Sequence, residues 1–305
     1  MTIAVFGSVN MDIVARVSHL PAPGETCHAL GHSVSLGGKG ANQAVAAQRL
    51  CPGEVRLSAA IGSDTFGTQA LEMLEGHGLG TGGVIRMPDH DTGLALIHVD
   101  AASQNNITVI AGANMCWPDA GPGQSVFAGA KVALFQLETP IEAVASAMAD
   151  ARAAGCMVIL DPAPVPERDI SGLIALADIV TPNERETEAI SGLYPSDTAS
   201  ALEAAERIVA QGCGIAIVKL GERGLVFATS DGHSGTVPAY RVEAIDTVAA
   251  GDCFNGALAA ALAAGNDIDA ALDFAAAAAA LSTTREGAAD SIPSLPEVLE
   301  FMKSA

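Results

Sequence analysis

The stretch VALFQLETPIEAVASAMADARAAGCMVIL, residues 132–160, has the pattern of a strand, a helix and a second strand. Val132–Gln136 and Met157–Leu160 are short, mainly apolar runs, and the Ala-rich run Ile141–Ala154 between them is long enough for a helix. Two strands joined by a helix run parallel in one sheet, and the helix covers a face of that sheet. The stretch therefore predicts an α/β fold.

The same alternation continues in both directions along the chain. Further strands are predicted at Ile3–Phe6, Ile179–Thr181 and Ile215–Lys219, and further helices at Gly40–Leu50, Thr68–Gly76, Arg185–Ser191, Ala199–Gln211 and Ala249–Ala264. The alanine run at 275–280 has high helix propensity and predicts a close-packed, buried helix. We predict one domain over residues 1–305, a three-layer α/β/α sandwich with a mainly parallel central sheet.

Two stretches, Ile13–Leu36 and Thr92–Ile110, depart from this alternation. In the second, Leu94, Leu96 and His98 alternate with Ala95, Ile97 and Val99, which is the period of a strand. Both stretches predict antiparallel strands that pair as a flap over one end of the central sheet. We therefore predict a small β-sheet lid, formed by about 13–36 and 92–110 and inserted in the α/β core.

Composition excludes several classes of function. With 35 acidic and 15 basic residues, the net charge of -20 repels a nucleic-acid backbone. The six cysteines form no C-x-x-C pair, and neither an H-E-x-x-H motif nor a Gly-x-Ser-x-Gly elbow occurs. The longest apolar run, Phe274–Leu281, is shorter than the roughly 20 residues that span a bilayer. The N-terminus lacks the features of a signal peptide, so we expect a cytoplasmic protein without a membrane or nucleic-acid partner.

The segment Asp246-Thr-Val-Ala-Ala-Gly-Asp252 precedes a helical run and has the features of an anion site. The small residues Ala249, Ala250 and Gly251 let a substrate approach the backbone, and N–H groups at a helix N-terminus stabilise phosphoryl oxygens. Asp252, in the first helical turn, is placed to accept a proton from an attacking hydroxyl. An ordinary aspartate favoured by the helix dipole is the alternative interpretation.

Two other loops carry polar side chains suited to a sugar. In Leu36-Gly-Gly-Lys-Gly-Ala-Asn-Gln43, the glycines expose backbone, Lys39 offers an ammonium group and Asn42 an amide, but the spacing differs from a Walker loop. In Gly7-Ser-Val-Asn-Met-Asp12, Asn10 and Asp12 share one side of an extended chain, although an Asx-type turn explains them equally well. The segment Gly78–Gly83 matches G-x-G-x-x-G, but it follows a helix and precedes a strand, so we interpret it as a loop.

The combination of Gly-Ser-Val-Asn-Met-Asp, Gly-Gly-Lys-Gly-Ala-Asn-Gln and Asp-Thr-Val-Ala-Ala-Gly-Asp resembles the PfkB carbohydrate kinase family, in particular its ribokinase branch. The resemblance covers the whole chain and includes Leu134–Glu138, Thr181–Glu184, Lys219–Gly224 and Thr284–Gly287. It implies a ribokinase-like fold and an ATP-dependent sugar kinase. The expected reaction transfers the γ-phosphate of ATP to the primary hydroxyl (O5) of ribose.

The resemblance also implies roles for individual residues. The sugar would be contacted by Asn10, Asp12, Gly38, Lys39, Asn42 and Glu138, with Asp252 as the base. ATP would be held by Gly251, Asn183 and the loop made of Lys219, Leu220, Gly221, Glu222, Arg223 and Gly224, and Glu186 would organise Mg2+ and phosphate. A monovalent cation, expected to be K+, would lie at Asp246, Val248, Ser282, Arg285, Gly287 and Ser291, mostly on backbone carbonyls.

The sequence departs from the family at two positions and leaves the acceptor open. Ala250 stands where many members carry glycine, and Ala276 stands where some ribokinases place a polar residue near the adenine, so we expect a small effect on ATP affinity. Fructose, deoxyribose or a nucleoside is the alternative acceptor, and a non-catalytic sugar or nucleotide sensor is a further alternative. Apolar lid strands also favour pairing with a second subunit, so we expect a homodimer.

Overall fold

The computed structural model describes residues 1–102, 104–165 and 167–304. Ser103, Pro166 and Ala305 fall within the predicted domain, and Ser103 also within the predicted lid, but they lie outside the described residues. The strands are β1 Thr2–Phe6, β2 Asn10–Arg16, β3 Gly31–Gly37, β4 Glu54–Gly62, β5 Val84–Met87, β6 Gly93–Val99, β7 Asn105–Ile110, β8 Val132–Phe135, β9 Met157–Leu160, β10 Ile179–Val180, β11 Ile215–Lys219, β12 Leu225–Thr229 and β13 Ser234–Val237. The helices are α1 Lys39–Leu50, α2 Thr65–Gly76, α3 Ile141–Ala153, α4 Ser171–Leu176, α5 Glu184–Ser191, α6 Thr198–Val209, α7 Ala250–Ala264, α8 Ile268–Ser282 and α9 Leu295–Ser304.

The central sheet has nine strands in the order β13-β12-β11-β10-β9-β8-β1-β4-β5. All neighbours from β11 to β5 pair in parallel, whereas β12 and β13 add an antiparallel edge beyond β11. The predicted strand–helix–strand unit is present, since β8 and β9 are adjacent and parallel and α3 connects them. The mainly parallel sheet of the prediction is therefore confirmed.

The side chains of the central strands alternate between two apolar layers. On β1, Ile3 and Val5 pack into a core with α1, α7 and α8, whereas Ala4 and Phe6 pack into a second core with α3, α4 and α6. Strands buried on both faces are what a parallel sheet covered by helices requires. The predicted three-layer α/β/α sandwich is confirmed.

Small residues let α1 and α7 approach each other closely. A Cβ atom built on Gly256 would lie 2.4 Å from the Ala46 Cβ and 2.7 Å from both the Ala47 N and the Gln43 O. The alanine run in α8 also packs closely: Ala275, Ala277 and Ala278 are fully buried. Ala276 is half-buried, so the predicted buried helix has one face that is partly open.

A separate sheet of four strands, in the order β3-β2-β6-β7, corresponds to the predicted lid segments. The prediction of antiparallel pairing is correct for β2 with β3 and for β6 with β7, but it is wrong for β2 with β6, which run parallel. The first strand also begins at Asn10 rather than Ile13. The parallel pairing follows from the connections, because β2 follows β1 and β6 follows β5, and β1 and β5 run in the same direction in the central sheet.

The predicted helix positions agree with the structure to within a few residues, and α4 and α9 are helices that the sequence pattern did not indicate. The segment Gly78–Gly83 connects α2 to β5, which confirms its interpretation as a loop. None of the helices in the described part of the chain combines the length and the apolar character that a bilayer crossing requires.

Candidate active site

The carboxyl ends of neighbouring parallel strands carry the polar side chains of the site. Gln136 directly follows β8, Asp161 directly follows β9 and Lys219 is the last residue of β11. The N-termini of α1 and α7 meet the same edge and bring Lys39, Asn42, Gln43 and Asp252 to it. Ligands of open α/β sheets bind outside the carboxyl ends of the strands, so this edge is the candidate active site.

Asp252 lies in the first turn of α7, below a helix N-terminus that no side chain caps. Ala249 precedes the helix with φ 57°, the sole positive φ of a non-glycine residue in the described ranges. The N–H of Ala250 donates to the Thr247 O at 3.3 Å, whereas the N–H of Gly251 has no acceptor among the described residues. A strained residue at an uncapped helix start is typical of a functional anion site.

Two amide side chains from α1 hold the Asp252 carboxylate in place. The Asn42 Nδ2 donates to Asp252 Oδ2 at 3.0 Å, and the Gln43 Nε2 donates to Asp252 Oδ1 at 3.1 Å. Burial raises the pKa of Asp252 above its ordinary value, and the nearby Lys39 ammonium opposes that rise. A buried carboxylate with a raised pKa is a stronger proton acceptor than an exposed one.

The predicted sugar residues surround Asp252 on one side. The Asn10 Oδ1 accepts a hydrogen bond from Asn114 Nδ2 at 2.7 Å, which fixes the direction of the Asn10 side chain. A Glu138 carboxylate oxygen accepts from the Lys39 backbone N–H at 2.9 Å and from the Ser8 hydroxyl. Burial raises the pKa of Asp12 to about 6, and the charges of Glu138 and Asp252 add to this rise. These residues form a polar pocket at the base of the four-stranded sheet.

Glycines around this pocket allow the backbone and the carboxylates to approach one another. Gly38, at φ 88°, packs against the backbone of Ser8 and Asn10, and a Cβ built there would lie 2.8 Å from the Asn10 N. A Cβ on Gly37 would lie 2.1 Å from the Asp12 Oδ1. Any side chain at these two positions would displace residues of the candidate sugar pocket.

The predicted ATP residues lie at the start of α5 and at the end of β11 with the loop that follows it. Asn183 and Glu186 form a capping box at the start of α5: the Asn183 Nδ2 donates to Glu186 Oε1 at 2.7 Å, and the Asn183 N donates to Glu186 Oε2 at 2.8 Å. The Lys219 side chain extends towards α7, since its Nζ lies 3.6 Å from the Cβ position of Gly251. The structure therefore places the Lys219 ammonium beside the uncapped helix start.

The loop after Lys219 turns sharply and offers mainly backbone. Gly221 and Gly224 have φ values of 58° and 85°, and the Leu220 N–H donates to the Gly224 O at 2.8 Å. The Leu220 side chain is buried, Glu222 is exposed, and the Arg223 guanidinium bonds to Glu184 and to the carbonyls of Pro195 and Ser196. A nucleotide at this loop would meet peptide groups rather than the side chains of Leu220 and Arg223.

The predicted cation residues lie in two segments, 246–248 and 282–291, which the Asp246 carboxylate links by hydrogen bonds. Its Oδ1 accepts from the Val248 N–H and its Oδ2 accepts from the Gly287 N–H, each at 3.0 Å. The Ser282 and Ser291 hydroxyls donate to the carbonyls of Ala279 and Ala288. The Arg285 guanidinium bonds to Glu297, so only its backbone faces the turn that joins α8 to the following loop.

Charge is unevenly distributed across the candidate site. The Lys39 ammonium lies among four carboxylates, those of Asp252, Asp161, Glu138 and Glu186. Burial lowers the pKa of Lys39, but these carboxylates outweigh burial and raise it above its ordinary value. Burial raises the pKa of the Glu186 carboxyl group, and the nearby Lys219 ammonium group opposes this rise. Together with Asp12, the site has five carboxyl groups and two ammonium groups, and a bound cation would offset the excess negative charge.

Five site residues had no role assigned from the sequence: Ser8, Gln43, Asn114, Gln136 and Asp161. Gln43 belongs to the quoted loop Leu36–Gln43, and Gln136 and Asp161 stand at the ends of β8 and β9. The rule that ligands bind at carboxyl strand ends was therefore the signal that could have identified Gln136 and Asp161.

Comparison with known proteins agrees with the geometry of the site. The model of the family described as "pfkB family carbohydrate kinase" matches residues 2–295. The chain is 39% identical over 306 residues to a ribokinase of Haemophilus influenzae, covering 100% of this chain and 99% of that protein. It is 36% identical over 306 residues to a deoxyribokinase of Salmonella typhi, with 99% of each chain covered. The Arabidopsis thaliana ribokinase complexed with ribose and ATP superposes with a TM-score of 0.93 at 30% identity, covering 99% of this chain and 98% of that one.

Proposed function

The chain belongs to the pfkB family of carbohydrate kinases, and we propose that it acts as an ATP-dependent ribokinase, which transfers the γ-phosphate of ATP to the primary (O5) hydroxyl of D-ribose. The observation that carries this proposal is the position of Asp252. The residue is 5% exposed, its charge raises the pKa of Asp12, and it directly follows Gly251, whose Cβ position lies 3.6 Å from the Lys219 Nζ.

The proposed reaction is an in-line transfer between the two sides of the site. Asn10, Asp12, Gly38, Lys39, Asn42 and Glu138 hold the sugar. Asp252 accepts the proton of the primary hydroxyl as its oxygen attacks the γ-phosphorus, and ADP leaves on the opposite side. The N–H groups at residues 249–251 stabilise the charge that develops on the transferring phosphoryl oxygens. Asn42 and Gln43 keep Asp252 directed at the hydroxyl.

On the donor side, we propose that Asn183 and the backbone of residues 219–224 hold ATP and that Glu186 organises Mg2+. Within the described ranges, no three His, Cys, Asp or Glu side chains cluster as a metal site. One carboxylate together with substrate phosphates is nevertheless the usual way that proteins bind Mg2+, so the donor set at Glu186 fits. When bound, Mg2+ neutralises charge on the phosphates.

The segment joined by Asp246 fits a monovalent cation, for which we propose K+. Hydrogen bonds from the N–H groups of Ile245 and Asp246 to the Thr283 O, at 2.7 and 3.1 Å, hold the two segments side by side. Backbone carbonyls and hydroxyls are the hard oxygen donors that such a cation requires. We propose that Asp246, Val248, Ser282, Arg285, Gly287 and Ser291 form the site, next to the start of α7.

We propose that the four-stranded sheet acts as a lid and as a dimer interface. A lid that closes over bound sugar keeps water from the γ-phosphate. A variant lacking residues 94–108 that kept both its sugar affinity and a low ATPase rate would contradict this role. Val34, Ile107 and Val109 are exposed on its outer strands, which favours pairing with a second copy. All six cysteines are free, which suits the reducing cytoplasm that we propose as the location.

The acceptor is tested by a screen of pentoses, hexoses and nucleosides with a coupled ADP readout. We expect D-ribose to give the highest kcat/KM. The deoxyribokinase relative makes 2-deoxyribose the second candidate, so the two pentoses are compared directly. ATP consumption that does not depend on any added sugar or nucleoside would contradict a kinase function, and a preference for fructose or a nucleoside would contradict the ribose assignment.

A further inference from the structure

Hydrogen bonds between buried polar side chains connect Asp252 to Lys219 through Gln43 and Asp161, two residues without an assigned role. The Gln136 Nε2 donates to the Gln43 Oε1 at 2.6 Å, which turns the Gln43 Nε2 towards two carboxylates. That Nε2 donates to Asp252 Oδ1 at 3.1 Å and to Asp161 Oδ2 at 2.9 Å. The second oxygen of Asp161 accepts from the Lys219 Nζ at 3.1 Å.

Asp161 is the most deeply buried partner of a lysine in the described part of the chain. Its side chain is 2% exposed, and that of Lys219 is 16% exposed, whereas the arginine pairs at the surface are far more open. Removing two charges from water is costly, and replacing such a pair with apolar residues is often neutral or stabilising. Stability alone therefore gives little reason for this pair.

The direction of the Lys219 side chain suggests what the pair does. Its Nζ lies 3.6 Å from the Cβ position of Gly251, beside the N–H groups of the uncapped start of α7. A lysine has many rotamers, and a fixed partner reduces the entropy lost when the ammonium group meets a ligand. Asp161, fixed from its other side by Gln43, is such a partner.

We propose that Asp161 is a positioning residue, which holds the Lys219 ammonium at the helix start so that it contacts the transferring phosphoryl group. This inference rests on the proposed kinase function and adds a side-chain charge to the backbone N–H groups there. An ammonium group that is already in place stabilises developing negative charge without reorganisation. Gln43 links this device to the base, since one amide nitrogen bonds to both carboxylates.

A double-mutant cycle tests whether Asp161 acts through Lys219. Asp161→Asn keeps the shape and an acceptor for Gln43, and Lys219→Met removes the ammonium group. We expect each single change to lower kcat by about 10²-fold, with the KM for the sugar nearly unchanged. In the Lys219→Met background, Asp161→Asn should have almost no further effect, and Lys219→Arg should recover part of the lost kcat.

The control is Asp178→Asn, which breaks the ion pair with Arg152. Asp178 directly precedes β10, at the amino ends of the strands and away from the candidate site, so kcat should stay at the wild-type value. An effect of Asp161→Asn that persists fully in Lys219→Met, or that appears mainly in the KM for the sugar, would overturn the proposal. Urea unfolding of each variant, including the double variant that removes both charges, identifies loss of activity through loss of fold.

The cycle remains informative if ribose is not the acceptor. It is run with whichever sugar the wild-type protein phosphorylates, and failure of ribose then affects only the proposed substrate. Calorimetric titration with ATP provides a readout that needs no turnover. We expect both single variants to bind ATP more weakly and the double variant to bind it as weakly as Lys219→Met. Unchanged ATP affinity in Lys219→Met, together with unchanged kcat, would overturn the proposal.

Discussion

At the scale of single residues, the proposed chemistry depends on the Asp252 carboxylate. Asp252→Asn keeps the size of the side chain and an oxygen that accepts from Asn42 or Gln43, but it removes the proton acceptor. We expect kcat to fall by about 10²- to 10⁴-fold, as for loss of a general base, with little change in the KM for the sugar.

The matched control for Asp252→Asn is Asp267→Asn, at the residue that precedes α8. Asp267 accepts from the Ala270 N–H as a helix cap, and asparagine caps helices about as well as aspartate, so activity and stability should be retained. Steady-state kinetics of the two variants against wild type is the measurement. An Asp252→Asn variant that is as active as Asp267→Asn would rule out the base.

Asp12 should make sugar binding depend on pH. Burial raises its pKa to about 6, so its carboxylate is charged at pH 7 and becomes protonated as the pH falls below 6. A protonated carboxyl accepts fewer hydrogen bonds from sugar hydroxyls, so the affinity for ribose should fall between pH 7 and pH 5. Equilibrium calorimetry in the absence of ATP measures this without involving turnover.

The comparison for that pH dependence is Asp12→Asn, which cannot titrate at position 12. It should bind ribose more weakly at pH 7, and its affinity should change less between pH 7 and pH 5 than that of the wild type. The difference between the two profiles isolates Asp12 from Asp252, whose pKa is also raised by burial. Identical pH profiles would contradict a role for Asp12 in holding the sugar.

Individual residues also show how far the sequence predicts the site. Asn10, Asp12 and Asp252 could be singled out because of their places along the chain: Asn10 and Asp12 follow β1 at the start of β2, and Asp252 lies in the first turn of α7. The roles of Gln43 and Asp161 were not, because they depend on one amide nitrogen bridging two carboxylates that are separated by about ninety residues of chain. Sequence spacing carries no information about such a contact, whereas the register of β8 with β9 places Gln136 and Asp161 side by side.

At the scale of elements, the contact between α1 and α7 sets the distance from the amides to the base. In Gly256→Ala the new methyl group would lie 2.4 Å from the Ala46 Cβ and 2.7 Å from the Gln43 O. The helices would have to separate, so we expect a loss of about 1–3 kcal/mol in the free energy of unfolding, and a lower kcat because Gln43 moves away from Asp252.

Gly76→Ala is the matched control for this helix contact. Gly76 is the last residue of α2, is exposed, and has no atom within 4 Å of its Cβ position. Alanine there should be neutral or stabilise the protein by about 0.4–1 kcal/mol. Urea unfolding and kcat are measured for both variants. A Gly256→Ala protein with wild-type stability and kcat would contradict the importance of the close approach.

The four-stranded sheet shows which element features follow from the sequence and which do not. The alternation in residues 92–110 correctly predicts strands there, since that pattern is local. The parallel pairing of β2 with β6 could not be predicted from it, because the direction of a neighbour depends on where two distant segments leave the central sheet.

At the scale of the whole molecule, the proposed dimer gives a direct prediction. Ile107 and Val109, on the outer strand β7, are 51% and 58% exposed. One chain has a mass of 30.7 kDa, and we expect the wild-type protein to sediment with twice that mass. Val109→Asp should shift the equilibrium towards the monomer, because it places a charge in the apolar contact. Leu299→Asp on α9, at a position 45% exposed, should leave the dimer intact. A wild-type monomer at micromolar concentration would contradict the interface.

The whole architecture was the most predictable property of the chain. Short strands rich in β-branched residues alternate with Ala-rich helices. This pattern predicts a sheet with helices on both faces, and apolar side chains are buried on both. The antiparallel edge formed by β12 and β13 and the helices α4 and α9 were not predicted. Of these, β13 and α4 span only four and six residues, and such short elements carry a weak periodic signal.

The central claim is that Asp252 promotes transfer of the γ-phosphate of ATP to the primary hydroxyl of ribose. It is tested most directly by phosphorus NMR of the products formed from ATP and D-ribose by the wild type and by Asp252→Asn. We predict that the wild type forms ribose 5-phosphate and one equivalent of ADP, and that Asp252→Asn forms neither on the same time scale. Phosphate on another hydroxyl, ADP formed without a phosphorylated sugar, or equal product from Asp252→Asn would contradict the claim.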